Sequence, residues 1–208
     1  MYAPAFNRVD DEHAVRRMVA DAGAGELVTV GPDGYPLATL LPVLWAGGTV
    51  RAHLARANPH WQAIPEDAPG LLVVGGPQAY VSPSWYASKA EHGRVVPTWN
   101  YTTVHLTGRV RVHDDVEWVR DLVTALTAAH EGEREHPWTV GDAPDAYVEG
   151  QLRGIVGVEL TVERVEGKAK LSQNRSHPDR AGVVEGLRGE GAPGAASVAD
   201  LMQSGLGA

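Results

Sequence analysis

The chain has 208 residues, 43% of them apolar, and a formal charge of −8 from 18 Lys and Arg against 26 Asp and Glu. It contains no cysteine, which excludes disulfides, thiolate zinc sites, iron–sulfur clusters and thiol nucleophiles. Residues Met1–Arg8 lack a charged segment followed by an apolar run, and no stretch approaches the roughly 18 uninterrupted apolar residues of a membrane span. The chain therefore reads as cytoplasmic, with no membrane association. A chain of this size buries roughly 70% of the surface its unfolded form exposes, so its core needs no covalent staples.

In chain order, Asp10 is placed to cap a helix carrying Val15, Met18, Val19 and Ala22 at helical spacing, stopped by Gly23 and Gly25. Glu26–Val30 reads as a strand, and Gly31-Pro32-Asp33-Gly34 has the residues of a hairpin turn. Residues 35–45 are extended, with Pro42 marking an edge or bulge, and Thr49–Leu54 is a further strand. Asn58-Pro59 starts a short helix, Asn as cap and Pro at the first helical position. Gly70–Gly75 and Ala79–Ser82 are strand material, and residues 83–98 form a polar loop rich in aromatic residues.

The clearest alternation follows, with Val104, Leu106, Val110 and Val112 on one face and Thr103, His105, Thr107, Arg109 and Arg111 on the other. Asp114 with Glu117 has a capping-box pattern ahead of a helix bearing Trp118, Leu122, Val123 and Leu126. A short helix ends near Leu152, and Ile155–Val165 alternates again. Strands dominate without regular βαβ alternation, so the expected fold is mainly β with peripheral helices (α+β), an antiparallel barrel rather than a parallel sheet. A single domain is expected over residues 1–188. Residues 189–208 form a Gly/Ala-rich tail, either a short helix or partly disordered.

Three segments carry chemistry. In Arg51–Trp61, a strand bearing Arg51 and His53 runs through Arg56 and Asn58 into a helix start, a layout suited to a phosphate. A solvated turn would show the same residues. Tyr80–Lys89 and Pro97–Tyr101 set aromatic side chains beside hydroxyls and amides, as a planar ligand with polar edges requires, or as a dimer interface does. Lys168–Arg175 suits a phosphate or carboxylate, or is a solvated face. Catalytic motifs of the metalloprotease, serine-hydrolase and P-loop types are absent. Lys and Arg are scattered apart from Lys168–Arg175, which argues against direct DNA binding.

Together these segments resemble the PaiB family of FMN-binding negative transcriptional regulators, a branch of the pyridoxamine-phosphate-oxidase-like split barrels. The blocks that match are Met1-Tyr2-x-Pro4 with Phe6, His53-x-Ala55-Arg56-x-Asn58-Pro59-x-Trp61, Tyr80–Lys89 continued by Glu91-His92-Gly93, Pro97–Tyr101, and Gly167–Arg175. One departure is Ala87, where the family usually has proline. The resemblance implies an antiparallel split β-barrel working as a homodimer, with FMN at the interface. The flavin phosphate would meet Arg51, His53, Arg56 and Asn58, and the ring would lie along Ala38, Thr39, Leu40 and Leu41. Lys89, Trp99 and Asn100 would come from the partner subunit. Two functions stay open: regulation through a flavin-dependent or indirect route, and a flavin-dependent oxidoreductase or flavin reductase, with deazaflavin or haem as alternative ligands.

Overall fold

The computed structural model describes residues 1–206. Strand β1 (Arg8–Val9) is followed by helix α1 (Glu12–Ala22), whose Ala14, Val15 and Val19 are buried. The cap of α1 is Asp11, one residue beyond the expected Asp10. Its carboxylate accepts the His13 N–H at 3.0 Å and its carbonyl the Val15 N–H at 3.0 Å, satisfying donors that a first helical turn leaves open. Strands β2 (Ala24–Val30) and β3 (Pro36–Pro42) pair as a hairpin. In its turn the Gly31 N–H meets the Tyr35 carbonyl at 2.7 Å, and Gly34 takes a φ of 84°.

Strands β4 (Leu44–Ala46) and β5 (Thr49–Ala55) pair next. The helix expected at Asn58-Pro59 is a 3-10 turn, Pro59–Ala63. Strand β6 (Ala68–Val81) is continuous through the two pieces expected separately. The polar segment after it holds a 3-10 turn (Pro83–Trp85) and helix α2 (Ser88–His92). Strand β7 (Thr98–His113) carries the strongest alternation, with Val104, Leu106 and Val110 wholly buried. Helices α3 (Val116–Glu131) and α4 (Asp145–Leu152), strand β8 (Ile155–Lys170), and helices α5 (His177–Glu190) and α6 (Ala195–Ser204) complete the chain. Asp115 caps α3 by accepting the Trp118 N–H at 2.8 Å, so the expected Asp114–Glu117 box does not form.

The eight strands form one sheet in the order β3-β2-β6-β7-β8-β5-β4, with β1 paired to β8. The registers are antiparallel, for instance Leu27 opposite Thr39 and His53 opposite Gly157. Among the described residues no ladder joins β3 to β4, so the sheet stays open, as in a split barrel.

The chain packs as two units, whose boundaries cut β6, β7 and β8. One comprises Ala22–Val74 and Leu106–Val165. Its core is the inward row of these strands (Leu27, Leu41, Leu54, Leu72, Leu106, Val156), and a smaller cluster of Val119, Val148 and Leu152 lies between α3 and α4. A Cβ at Gly157 would overlap the Trp118 ring, so only glycine lets α3 lie this close to β8.

The other unit comprises Met1–Asp21, Gly75–His105 and the described residues from Glu166 onward. Here α5 and α6 pack together, with Ala195, Val198, Ala199 and Met202 buried. Gly182 and Gly186 of α5 make a bare strip that receives the backbone and ring of Trp85. Asp179, also on α5, accepts the Ser88 N–H and hydroxyl, both at 2.9 Å. Those bonds hold its carboxyl below the usual carboxylate range and tie down the aromatic loop.

At Ala87, φ is −58° and the preceding Tyr86 is extended, both as proline requires. Replacing Ala87 with proline is expected to raise stability by about 0.4–1 kcal/mol by restricting the unfolded chain. A chemical-denaturation midpoint that moves downward instead would show that the loop resists the substitution.

Candidate functional site

In the unit holding β2–β5, alternation places Leu41 in the core and turns Ala38 and Leu40 outward, Leu40 being 67% exposed. Thr39 shares the parity of Leu41, and its hydroxyl starts a chain of polar contacts. Asn58 Nδ2 donates to Thr39 Oγ1 at 3.4 Å, and that oxygen lies 2.8 Å from His60 Nδ1. His60 Nε2 in turn lies 2.8 Å from Thr29 Oγ1. The Asn58 side-chain oxygen also accepts the His60 N–H at 3.0 Å, fixing the turn after β5. His60 was not singled out from sequence. The available signal was Thr29 and Thr39 at core-facing positions of two apolar strands, which calls for a buried polar partner.

Arg56 closes on its own surroundings. Its Nε donates to the Arg153 carbonyl at 2.8 Å, Nη1 to Asp114 at 3.1 Å, and Nη2 to Asp114 and to the Ile155 carbonyl. The hydrogen bond to Asp114 pushes the guanidinium up and the carboxyl down from their ordinary pKa values. Four of its five N–H groups are engaged, leaving one on Nη1. Arg51 and His53 sit on the opposite parity of β5 from buried Val50, Ala52 and Leu54, facing Glu159 and Gly157 of β8. Asn58 meets Thr39 and Arg56 meets Asp114 just beyond the end of β5, while Arg51 and His53 are half-buried on the β5 face turned away from the core.

Lys89, Trp99 and Asn100 belong to the other unit. Lys89 is exposed and donates to Ser84 Oγ at 3.0 Å. Trp99 is 53% exposed and meets Tyr80 edge-on, with centroids 6.2 Å apart. Asn100 is fully buried, and its amide bonds Ser172 Oγ at 3.0 and 3.2 Å. A side chain so enclosed cannot reach across to a partner subunit, and this corrects the expectation for Asn100. Ser172 takes a left-handed φ of 61°, a strained backbone held by that bond.

The same unit contains a cavity of about 400 Å³ lined by Tyr86, Tyr101, Lys168, Lys170, Asn174 and Arg175, among others. Lys168 is only 9% exposed, so Lys168–Arg175 is not the solvated face that its charge alone would allow. Among the described residues, no group of three or more His, Cys, Asp or Glu is placed to hold a metal ion. No helix there is long and apolar enough to cross a membrane.

An open antiparallel sheet with an exposed apolar strip beside hydroxyl and amide donors defines a split barrel of the cofactor-binding class. The chain belongs to the family described as "Putative FMN-binding domain", which matches residues 1–164 and makes FMN its cofactor. It is PaiB-like: it is 32% identical to "Protease synthase and sporulation protein PAI 2" of Bacillus subtilis over 99% of this chain and 98% of that one. An uncharacterized protein of Aspergillus fumigatus is 36% identical over 67% of this chain and 66% of its own. Among solved structures, the conserved hypothetical protein Rv2991 of Mycobacterium tuberculosis superposes with a TM-score of 0.62 at 16% identity, covering 85% of this chain and 95% of that one. The FAD and heme binding protein of Mycobacterium smegmatis gives 0.60 at 16% identity, covering 84% and 79%. These two show a shared fold.

Burial pushes His53, His60, His105 and His113 below the ordinary histidine value of 6.5. Between the folded value and 6.5 the unfolded chain binds protons that the folded chain does not, so stability falls as pH drops below about 6.5. His60→Gln, which removes one of these protons, is expected to flatten that acid-side slope. Denaturant midpoints measured across this range would reveal an unchanged slope if His60 titrates normally.

Proposed function

We propose that the protein binds FMN as a homodimer and acts in regulation through a protein partner rather than by gripping DNA. The observation that carries this reading is the end-to-end match to PAI 2, a protein whose name links it to protease synthesis and sporulation. The charge of −8 weighs against a phosphate-backbone footprint and so favours an indirect route.

The donor chemistry fits FMN. The ring would lie along residues 38–41, flanked by the exposed Ala38 and Leu40 side chains and by β3 backbone, since the Leu41 side chain is in the core. Asn58 and the remaining Arg56 N–H would take the phosphate, joined by Arg51 and His53 from the outward face of β5. Trp99 and Lys89 would be supplied by a second copy of the chain. Exposed Trp99 and Tyr80, together with half-exposed Phe6, are the aromatic groups that an interface of this kind would cover. Bound FMN would supply one- or two-electron redox chemistry, while the chain's part is to position it and exclude water.

Flavin absorbance bands in the purified protein are the expected result, and a Soret band in their place would overturn FMN in favour of haem. Arg56→Ala is expected to weaken FMN binding roughly ten- to hundredfold, the loss of a charge-assisted hydrogen bond. Asp114→Asn, which frees Arg56, is expected to tighten it. An affinity unchanged in both variants would show that the phosphate is held elsewhere. Sedimentation should give twice the 22.2 kDa chain mass, falling toward the monomer in Trp99→Asp. Rapid anaerobic bleaching by NADH or NADPH would replace the regulatory reading with a flavin reductase.

A further inference from the structure

The lining of the 400 Å³ cavity includes three cations, Lys168, Lys170 and Arg175, and no aspartate or glutamate. The hydrogen-bond and ring contacts of each cation are with neutral groups. Lys168 Nζ donates to the Tyr2 carbonyl at 3.0 Å and sits 5.0 Å from the Tyr101 ring centroid. Lys170 Nζ donates to the Trp99 carbonyl at 2.6 Å and to Thr98 Oγ1. The Arg175 guanidinium lies 4.7 Å from the Tyr86 ring centroid. The nearby acids are committed elsewhere: Asp179, which Arg175 feels, is closed by Ser88, and Glu166 pairs with the Met1 ammonium at 2.6 Å.

Gathering three like charges around one cavity, one of them nine-tenths buried, is costly, and a chain with a net charge of −8 has acids to spare if neutralisation were all that was needed. Tyr86 points the same way. It is 3% exposed, lines the cavity, and its hydroxyl has no hydrogen-bond partner in the protein. A buried donor without a partner marks a place where a partner is expected from outside the chain. Three positive charges and a free hydroxyl suit a dianion better than a single carboxylate, and aromatic walls suit a flat apolar body.

We propose that this cavity is a binding site for a small aryl phosphate monoester, its phosphate taken by Lys168, Lys170, Arg175 and the Tyr86 hydroxyl and its ring by the tyrosine-lined wall. The three cations lie beyond residues 1–164, which the FMN-binding domain matches, though within the PaiB-like match over 99% of the chain. This site is distinct from the flavin site proposed around residues 38–41, Arg56 and Asn58, and rests on that placement of FMN.

The test is calorimetric titration of the 208-residue chain, as purified and after FMN loading, with phenyl phosphate and then with inorganic phosphate. Saturable binding of one phenyl phosphate per chain is expected in both forms, with inorganic phosphate weaker and FMN absorbance undisturbed. Arg175→Gln and Tyr86→Phe should each weaken phenyl phosphate roughly tenfold or more without changing FMN content. Tyr86→Phe should melt no lower than the parent, because it removes only an unsatisfied hydroxyl. No saturable binding, or affinities unchanged in both variants, would overturn the site. Release of FMN by phenyl phosphate, or loss of FMN in Arg175→Gln, would show that the cavity is the flavin's own phosphate site and overturn the proposal of a second one.

Discussion

Lys168 puts a full charge at a position that is nine-tenths buried, and much of its unit is arranged around that fact. Its stem lies on β8 opposite Arg8 of β1, its ammonium reaches back to the Tyr2 carbonyl, and the Tyr101 ring offers its face. Two residues earlier Glu166 holds the Met1 ammonium. The first residues of the chain are thereby drawn into the wall of a cavity. An ammonium with a carbonyl and a π-face around it is solvated well enough to persist, yet it keeps its charge available to a ligand. Replacing it with an apolar side chain would remove both the anchor and the field.

The contrast with Arg56 is instructive. Both are cations close to the end of a strand, but Arg56 is neutralised by Asp114 and bonded to two backbone carbonyls, whereas Lys168 and Lys170 meet neutral partners. An exposed ion pair of this kind contributes little to stability, so the Arg56–Asp114 pair is better understood as a contact that an incoming anion must compete with. Charge counted along the sequence does not distinguish the two situations. What distinguishes them is which strand face and which distant carboxylate each cation meets.

The strands were legible wherever one face is buried, because alternation is then obligatory. Val104, Leu106 and Val110 on β7 and Val156, Val158 and Leu160 on β8 are the plainest cases. Local chemistry also fixed the Gly31–Gly34 turn and the Asn58 cap. Helix caps slipped by one residue at Asp10-Asp11 and Asp114-Asp115, since adjacent aspartates are equally able to cap and only the helix's packing chooses between them. The site was less legible. Arg56 and Asp114 are 58 residues apart, and Asn100 and Ser172 are 72 apart, so neither pairing leaves a local signature. Alternation puts Arg51 and His53 on the face of β5 away from the core, but it does not extend to Asn58, which lies beyond the strand's end.

The glycines of α5 have a consequence for how this protein can change. Gly182 and Gly186 stand one turn apart and seat Trp85, and the helix begins at a Ser176 cap that accepts the Asp179 N–H. A helix advances about 100° per residue, so an inserted residue between cap and seat would swing a side chain into the indole and carry the bare strip away. The spacing from Ser176 to Gly186 is therefore a phase constraint. Point substitutions can drift over the exposed face of α5, while the residue count between cap and seat is locked.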